Sequence, residues 1–358
     1  MKLNKKLFFS IFRFYRHNQA RLHPLNYLFW ECTLKCNLDC VHCGSDCSKE
    51  ALVPDMPLGD FLKVLDRIKE EIDPRKIMVV LTGGEPTLRK DLEIAGKEFI
   101  KRGFPWGMVS NAYALSKEKI HKLHEAGLGS LTISLDGLKE SHDWFRGHSG
   151  SFERALGSIQ VAAGIPQMIF DVVSCIHKRN LKELPAIRDL LIENGVKKWR
   201  LFIIFPKGRA KDNPELKLSD EEFRSVYDFI VETRKEGKIN ASAGCEGFLG
   251  DYELEARDYP FFCRAGIQIG SVLVDGSISA CPSLREDYIQ GNIYRDDFMD
   301  VWTHRFDIMR NRKWTKTGRC KTCKVYPWCE GNGLHLRDEK SGELLLCHYE
   351  KLLTPFNH

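Results

Sequence analysis

Residues 27–43, YLFWECTLKCNLDCVHC, join an apolar, β-prone run to three closely spaced cysteines. Cys36, Cys40 and Cys43 have Cys-x3-Cys-x2-Cys spacing and directly follow the first predicted strand. Three thiolates on one loop can each bind one iron of a cubane, which leaves the fourth iron without a protein ligand. The stretch therefore predicts a strand whose end carries an iron–sulfur cluster with one open position.

Two other interpretations of these cysteines are open at this point. A zinc site completed by Cys47 would use the same ligands. A helix that repeats a cysteine every four residues would bury the thiols as small apolar groups, but Asn37, Asp39 and Gly44 argue against that helix.

Short apolar runs alternate with amphipathic helical stretches from residue 27 to about residue 205. This alternation is typical of βα units around a parallel sheet, so the fold class is α/β. The six predicted strands cover residues 27–32, 77–82, 106–110, 131–135, 169–175 and 196–205. Six units fit either an open doubly wound sheet or a partial barrel, and both bind ligands at the carboxyl ends of their strands.

Short motifs with polar or glycine residues stand where two of these strands end. Gly83 and Gly84, followed by Glu85, end the second strand, and the two glycines let the backbone approach a ligand closely. Ser134 ends the fourth strand, and Arg146 follows with a planar fork that suits a carboxylate such as that of an amino acid. Each motif alone is weak evidence, because a turn or a surface ion pair would explain it as well.

Together, the segments CNLDCVHC, GGEP, SLDG and HDWFRG resemble radical S-adenosylmethionine (radical SAM) enzymes over residues 26–206. The resemblance implies a partial (βα)6 TIM-like barrel. It also implies that Cys36, Cys40 and Cys43 hold a catalytic [4Fe–4S] cluster to which S-adenosylmethionine binds. The expected activity is reductive cleavage of the sulfonium to a 5′-deoxyadenosyl radical, which abstracts hydrogen from a substrate.

The same resemblance assigns cofactor contacts to residues outside the cysteine motif. His42 is expected to pack near the adenine of S-adenosylmethionine. Gly83, Gly84 and Glu85 are expected to meet the methionyl amino group. Ser134 and Arg146 are expected to meet the methionyl carboxylate or the ribose.

The C-terminal part contains a second cysteine group with different spacing. Cys320, Cys323 and Cys329 follow Cys-x2-Cys-x5-Cys, and Cys347 lies beyond them. A structural zinc ribbon could use the same four residues. Behind a radical SAM core they resemble the SPASM extension of that family, which implies an auxiliary [4Fe–4S] cluster.

A further auxiliary site is less complete in the sequence. Cys263 and Cys281 are its clear ligands, and Cys245 is the candidate for a third. The family pattern expects another cysteine where this chain has Gly333, so the site could be a cluster with an open iron, a [2Fe–2S] cluster, or absent. Pro282 occupies the position of an aspartate base in sulfatase-maturing relatives, and formylglycine formation is therefore not expected.

Three segments are predicted: a basic amphipathic helix at residues 1–22, the radical SAM core at 23–240 and a cysteine-rich SPASM domain at 241–358. The first thirty residues hold no acid and six Lys or Arg. Leu3, Leu7, Ile11 and Phe14 form an apolar stripe at helical spacing. A helix docked on the main domain and a helix that contacts a membrane surface or a partner both fit this pattern.

Composition narrows the class of protein. A chain of 358 residues with 43% hydrophobic content can bury a full core, and the net charge of +5 is not gathered into tracts that would favour nucleic acid. The thirteen cysteines cluster, and no secretory signal is recognisable, which predicts metal ligation in a reducing cytoplasm. No apolar stretch reaches the ~20 residues of a membrane span.

The predicted function is an anaerobic, oxidoreductase-like enzyme that modifies a peptide or protein and receives electrons from a donor such as flavodoxin or ferredoxin. The peptide substrate rests on the SPASM resemblance alone. Residues 23–47 also look like a subgroup associated with small lipoproteins. The alternatives are small-molecule chemistry in cofactor or haem maturation, and a non-catalytic iron–sulfur or zinc protein.

Overall fold

The computed structural model describes residues 3–285 and 287–353, and one mixed sheet of ten strands runs through them. The strands are β1 (Tyr27–Thr33), β2 (Met78–Gly83), β3 (Trp106–Ser110), β4 (Leu128–Ser134), β5 (Ile169–Ile176), β6 (Lys198–Ile203), β7 (Asn240–Ala243), β8 (Ile269–Val272), β9 (Ser277–Ser279) and β10 (Gly291–Asn292). Their order across the sheet is β10-β9-β8-β1-β2-β3-β4-β5-β6-β7.

Helices occupy most of the connections between these strands. The helices are α1 (Leu3–Leu22), α2 (Leu58–Ile68), α3 (Leu92–Lys101), α4 (Lys117–Glu125), α5 (Lys139–Arg146), α6 (Ser151–Ala163), α7 (Lys178–Leu181), α8 (Leu184–Glu193), α9 (Asp220–Glu236), α10 (Phe298–His304), α11 (Asp307–Arg310), α12 (Tyr326–Cys329) and α13 (His348–Leu352). Between β4 and β5 the connection contains two helices, α5 and α6.

Strands β1 to β6 pair in parallel, each with the next along the chain, which confirms the predicted α/β partial barrel. All six strands expected from the sequence are present. The fourth begins at Leu128, three residues before its predicted start, and the sixth ends at Ile203, before the predicted end at residue 205. All six carboxyl ends lie on one edge of this parallel sheet, which is where the sequence motifs stand.

The outer side of the barrel is held by aromatic packing against the helices. Trp30 of β1 stacks on Phe61 of α2 with ring centroids 4.3 Å apart, and both rings meet Phe99 of α3 edge-on. Trp106 of β3 extends the same cluster and donates to the Ala126 carbonyl at 3.1 Å. Because these rings are fully buried, they fix the strands on which the motif residues lie.

The sheet continues beyond the six barrel strands at both edges. β7 pairs in parallel with β6, and β8 pairs in parallel with β1, with Tyr27 opposite Ile269 and Trp30 opposite Val272. β9 and β10 then add an antiparallel edge. The boundary between the radical SAM core and the SPASM domain, placed between residues 240 and 241, stays a prediction. Strand β7 extends across it.

Two helix starts differ in how they are capped. Ser219 and Glu222 form a capping box at the start of α9. Gly150, with φ of 80°, is the N-cap of α6, and Ser151 is already helical. The Ser151 hydroxyl instead lies 3.1 Å from His142 Nε2, which explains why a serine is buried there.

Candidate active site and auxiliary cysteine groups

The cysteine loop leaves the end of β1 and is held to the barrel on several sides. The Cys36 N–H donates to the Ser48 carbonyl at 2.8 Å, which closes the loop on itself. Asp39 and Val41 donate from their N–H groups to the last carbonyls of α5, those of Arg146 and Phe145. The loop therefore has a fixed backbone before any cofactor binds.

Each of the three motif sulfurs lies close to a hydrogen-bond donor, two of them from distant segments and one from the same loop. Asn111 Nδ2 lies 3.7 Å from Cys36 Sγ, and Arg146 Nη1 lies 3.7 Å from Cys40 Sγ. The backbone N–H of Cys47 donates to Cys43 Sγ at 3.4 Å. Such donors stabilise thiolates, the form in which cysteine binds iron, and they influence the reduction potential of a cluster.

The acidity of the three thiols is set by burial and by Cys47. Burial raises the pKa of Cys36 to about 11 and also raises that of Cys40. The hydrogen bond from the Cys47 side chain, with the backbone donors of the turn, lowers the pKa of Cys43 to about 6. The Cys47 Sγ lies 3.8 Å from the Ser45 carbonyl, so Cys47 packs within the same turn as the motif cysteine Cys43.

The glycine turn after β2 lies directly against the cysteine loop. The Gly84 and Glu85 N–H groups donate to the Thr33 and Lys35 carbonyls, both at 2.8 Å. A Cβ at Gly83 would lie 2.1 Å from the Thr33 oxygen, and one at Gly84 would lie 2.1 Å from the Lys35 oxygen. Glycine is required here because the two backbones touch, which positions both segments at one edge of the barrel.

Glu85 turns its carboxylate into the protein. Oε1 accepts from the Ser110 hydroxyl at 2.8 Å and from the Thr87 N–H at 3.1 Å, and Oε2 accepts from the Asn111 N–H at 2.8 Å. Burial raises the pKa of Glu85, and these donors oppose the rise. The carboxylate thereby fixes the end of β3, and the contact of residues 83–85 with a methionyl amino group stays a prediction.

Arg146 lies at the last position of α5 with its guanidinium between a carboxylate and a motif sulfur. Nε and Nη2 lie 2.7 and 2.5 Å from Asp136 Oδ2, while Nη1 faces Cys40 Sγ. The other oxygen of Asp136 accepts from the Cys175 N–H at 2.8 Å. Ser134 is buried two residues before Asp136, at the end of β4. Contacts of Ser134 and Arg146 with S-adenosylmethionine stay predictions.

His42 belongs to a column of three rings. Its imidazole stacks on Phe145 with centroids 3.9 Å apart, and Phe145 stacks on His177 at 4.5 Å. Burial keeps the pKa of His42 well below its usual value. A neutral aromatic ring in the cysteine loop suits stacking with a base, and the predicted packing against adenine stays a prediction.

The four C-terminal cysteines come together beneath α12 and α13. Cys320 and Cys329 are buried, and Cys320 Sγ accepts from Arg337 Nη2 at 3.2 Å. Burial raises the pKa of Cys329 to about 12, and the nearby Cys347 and Cys320 thiolates add to the rise. Burial also raises the pKa of Cys347, and the charges of Cys320 and Cys323 add to that rise. Cys347 therefore lies within electrostatic range of the other three thiols.

A second group in the C-terminal part contains Cys245, Cys263 and Cys281. Burial raises the pKa of Cys281 to about 12, and the charges of Cys245 and Cys263 add to the rise. Cys245 lines a cavity of about 460 Å³, which keeps its side chain accessible although protein surrounds it. The structure thus brings the candidate third ligand close to the other two.

All thirteen cysteines are free thiols, as metal ligation requires. Among the residues that the structure describes, no three His, Cys, Asp or Glu side chains converge closely enough to hold a single metal ion. A cubane binds each thiolate to a different iron, so its ligands need not converge on one point. Three thiols on one loop, each with a nearby donor, on a loop that the Gly83–Gly84 backbone holds at the barrel edge, fit an iron–sulfur cluster with an open iron.

Comparison with known families agrees with this donor set. The Radical SAM superfamily matches residues 30–191, and the SPASM iron-sulfur cluster-binding domain matches residues 263–324. An AdoMet-dependent heme synthase of Methanosarcina barkeri is 30% identical over 328 residues, which cover 84% of this chain and 89% of that protein. The chain belongs to the radical SAM superfamily and carries a SPASM domain, which together imply a [4Fe–4S] cluster that binds S-adenosylmethionine and auxiliary iron–sulfur clusters.

Other relatives and solved structures share this layout. Mycofactocin maturase MftC of Mycolicibacterium smegmatis is 27% identical, with coverage of 85% of this chain and 76% of that protein. Streptococcus suis SuiB bound to precursor peptide SuiA has a TM-score of 0.70 at 17% identity, covering 89% of this chain and 74% of that one. Native anSMEcpe with bound AdoMet and Cp18Cys peptide has a TM-score of 0.70 at 19% identity, covering 92% of this chain and 94% of that one.

Two residues that contact the cysteine loop were not found from the sequence. Asn111 follows β3, and Arg209 follows β6 and donates to the Cys40 and Cys47 carbonyls at 3.1 and 2.6 Å. Their contacts depend on which strand ends lie beside the loop, and no local pattern marks them. A polar residue directly after a parallel strand is the weak signal that could have indicated Asn111.

Proposed function

We propose that this enzyme modifies a peptide or protein substrate with a radical generated at the Cys36–Cys40–Cys43 site. The bound cluster and S-adenosylmethionine supply one-electron chemistry and the 5′-deoxyadenosyl group. The chain's own residues hold the three thiolates in a fixed loop, place hydrogen-bond donors on their sulfurs, and enclose the site between the glycine turn and α5. This arrangement of three donor-supported sulfurs is the observation that carries the radical chemistry in the proposal.

A cavity at the end of β6, separated from the cysteine loop by a layer of buried side chains, is the proposed substrate site. It has a volume of about 420 Å³ and lies between the end of β6, at Ile203, and Leu345 and Leu346 of the C-terminal part. Ala210, which lines it, packs in one buried cluster with Phe145 and near Val41 of the cysteine loop. An apolar cavity at the carboxyl edge of the barrel is where a substrate would meet the radical.

The chemistry of the cavity is compatible with a peptide segment that carries apolar and acidic groups. Phe205, Leu216 and Leu218 contribute apolar surface, while Lys217 and Lys351 lie at its border. The likeness to SuiB and anSMEcpe extends to structures that contain a precursor peptide and Cp18Cys peptide, which supports a peptide substrate.

A haem-related small molecule is the second candidate. The specific observation in its favour is the 30% identity to the AdoMet-dependent heme synthase of Methanosarcina barkeri, together with the 29% identity to an Fe-coproporphyrin III synthase of the same organism. An apolar cavity with Lys217 at its border also suits a flat ring system that carries a carboxylate, whereas Lys351 is already paired with Asp220.

The first experiment tests the radical chemistry. Protein reconstituted with iron and sulfide under anaerobic conditions and reduced is expected to convert S-adenosylmethionine to 5′-deoxyadenosine and methionine. The Cys36→Ala/Cys40→Ala/Cys43→Ala variant is expected to lose this activity and the signal of the catalytic cluster in electron paramagnetic resonance. Cys32→Ala is the matched control, because Cys32 is buried in the same region and donates to the Thr82 carbonyl. Protein that holds zinc and remains colourless would contradict the proposal.

The second experiment separates the two substrate classes. Candidate peptides and Fe-coproporphyrin III are added separately, and 5′-deoxyadenosine formation and the mass of the added compound are followed. A mass change in a peptide supports the main proposal, and a mass change in the porphyrin alone favours the second candidate. Flavodoxin or ferredoxin as the electron donor and a reducing, cytoplasmic setting are part of the proposal, because reduced thiols and a low-potential donor are what such clusters need.

A further inference from the structure

Helix α1 is fixed to the auxiliary part of the protein by one of its faces. Phe9 is 2% exposed, and its ring meets Phe248 and Trp328 with centroids 5.7 and 6.3 Å away. Arg16 is 3% exposed, donates to the Trp328 carbonyl at 2.5 Å and pairs with Glu330 at 3.1 Å. These contacts determine which side of the helix points away from the protein.

The outward face of α1 is apolar. Leu7, Ile11 and Phe14 have exposed fractions of 65, 64 and 78%, and their spacing of four and three residues places them on one side of the helix. Phe9 and Arg16 lie about half a turn away from this stripe, which therefore faces solvent. Leu3, the fourth predicted member of the stripe, has a side chain outside the described set. A row of large apolar side chains exposed in this way marks an interaction surface.

Basic residues lie along one side of this apolar stripe. A cavity of about 450 Å³ beside α1 is lined by four exposed basic side chains, Arg13, Arg21, Lys313 and Lys316. Arg310 and Arg312 also line it, but their guanidinium groups donate to backbone carbonyls. Two acids also line it: Asp307, and Glu330, which is already paired with Arg16. The surface next to the stripe is therefore strongly positive.

We propose that α1 and this basic rim form a binding surface for an anionic membrane. Leu7, Ile11 and Phe14 would enter the boundary between lipid headgroups and acyl chains, and the rim would contact lipid phosphates. A second copy of the chain would bring the same positive rim against itself, which disfavours self-association through this face. Among the described residues no helix is long and apolar enough to cross a bilayer, and α1 would lie in the plane of the surface.

Vesicle flotation with the full-length, cluster-containing protein tests the proposal. Vesicles of phosphatidylcholine alone are compared with vesicles that also contain phosphatidylglycerol, at low and high salt. The protein is expected to float with the anionic vesicles and to be released as salt is raised. Ile11→Glu/Phe14→Glu is expected to weaken this binding by roughly tenfold or more, because a carboxylate replaces apolar side chains in the lipid interface.

Ile94→Glu is the matched control, because Ile94 on α3 is 59% exposed, close to Ile11, and lies away from the proposed surface. It is expected to keep full binding.

Arg13→Ser/Lys313→Ser is expected to reduce the salt-sensitive part of the binding, with circular dichroism unchanged because both residues are exposed. Equal binding to neutral vesicles, or no binding at all, would overturn the proposal. Self-association without lipid that Ile11→Glu abolishes would assign the surface to a second copy instead.

Discussion

Arg146 connects Asp136 to Cys40: its Nε lies 2.7 Å from Asp136 Oδ2, and its Nη1 lies 3.7 Å from Cys40 Sγ. Asp136 is fully buried, and Arg146 is the cation that compensates its charge. The same guanidinium therefore neutralises a buried carboxylate and supports a thiolate of the catalytic cluster. Changes at Arg146 should affect both stability and the electronic properties of the cluster.

Arg146→Met is expected to lower the reduction potential of the catalytic cluster, because a positive charge and a hydrogen bond to sulfur are lost. It should also lower the free energy of unfolding by about 3–5 kcal/mol, since Asp136 stays buried without its cation. Potentiometric titration followed by electron paramagnetic resonance, together with denaturant unfolding, measures both effects. The double variant Arg146→Met/Asp136→Leu should regain stability without regaining the potential. An unchanged potential in the single variant would show that Arg146 does not act on the cluster.

S-adenosylmethionine affinity in Arg146→Ala tests the carboxylate contact predicted from the family resemblance. If the guanidinium binds the methionyl carboxylate as well as Asp136, the variant should lose about 1.5–3 kcal/mol of binding free energy while the cluster absorbance persists. Equilibrium dialysis of the anaerobic protein measures this. Unchanged affinity would assign Arg146 to Asp136 and Cys40 alone.

Gly84→Ala is expected to prevent assembly of the catalytic site. Its Cβ would lie 2.1 Å from the Lys35 carbonyl oxygen, so the cysteine loop would have to move away from the end of β2. Iron content after reconstitution and the thermal unfolding midpoint should both fall. Gly157→Ala in α6 is the matched control, because no atom lies within 4 Å of the added Cβ, and it should stabilise the helix by up to about 1 kcal/mol. Normal iron content in Gly84→Ala would mean that the loop adapts to the change.

The two auxiliary cysteine groups are expected to respond differently to substitution. Cys320→Ala/Cys323→Ala should destabilise the C-terminal part, because ligated metal substitutes there for a larger core. Cys245→Ala should be milder for folding and, if Cys245 is a ligand, should reduce iron while S-adenosylmethionine cleavage continues. An iron content on the order of ten to twelve atoms per chain would indicate three clusters, and about eight atoms would indicate two.

The stability of the protein should fall as the pH drops below about 6.5, partly because of His142. The ring is fully buried, its Nδ1 accepts from the Asp136 N–H at 3.0 Å, and burial lowers its pKa from 6.5 to about 3. The unfolded chain then binds a proton that the folded chain does not, which costs about 1.4 kcal/mol per pH unit between those pKa values. His142→Gln should make the free energy of unfolding depend less on pH between pH 6.5 and 5. His121→Gln, at an exposed position, should leave that pH dependence unchanged. If the free energy of unfolding varied with pH in the same way for His142→Gln and for the unchanged protein, this account would be wrong.

Local motifs in the sequence mark two segments that lie against each other in the structure. The cysteine loop and the glycine turn could be identified because each is a short segment whose chemistry depends on its own residues. Asn111 and Arg209 could not, because their contacts with the cysteine loop arise only when the ends of β3 and β6 come to lie beside it. The carboxylate partner of Arg146 escaped prediction for the same reason: Asp136 was visible in the sequence, but its burial was not.

The N-terminal helix shows a different limit of sequence reasoning. Helical spacing identified the stripe of Leu7, Ile11 and Phe14 but not the side of the helix that docks. The docked side instead uses Phe9 and the buried guanidinium of Arg16, whose partners are mainly backbone carbonyls near residue 328 and the carboxylate of Glu330. A charged residue on the packed face of a helix is not predicted by apolar periodicity, because its burial depends on acceptors supplied by a distant segment.

The parallel pairing of β8 with β1 has a mechanical consequence for electron transfer. β1 ends in the catalytic cysteine loop, and β8 lies between Cys263 and Cys281 of the auxiliary part, so backbone hydrogen bonds connect the two metal-binding regions directly. A hinge between them would have to break that ladder. Where both regions hold clusters, this pairing ties the strands that flank the two clusters to each other, so an electron would pass between sites carried on one continuous sheet.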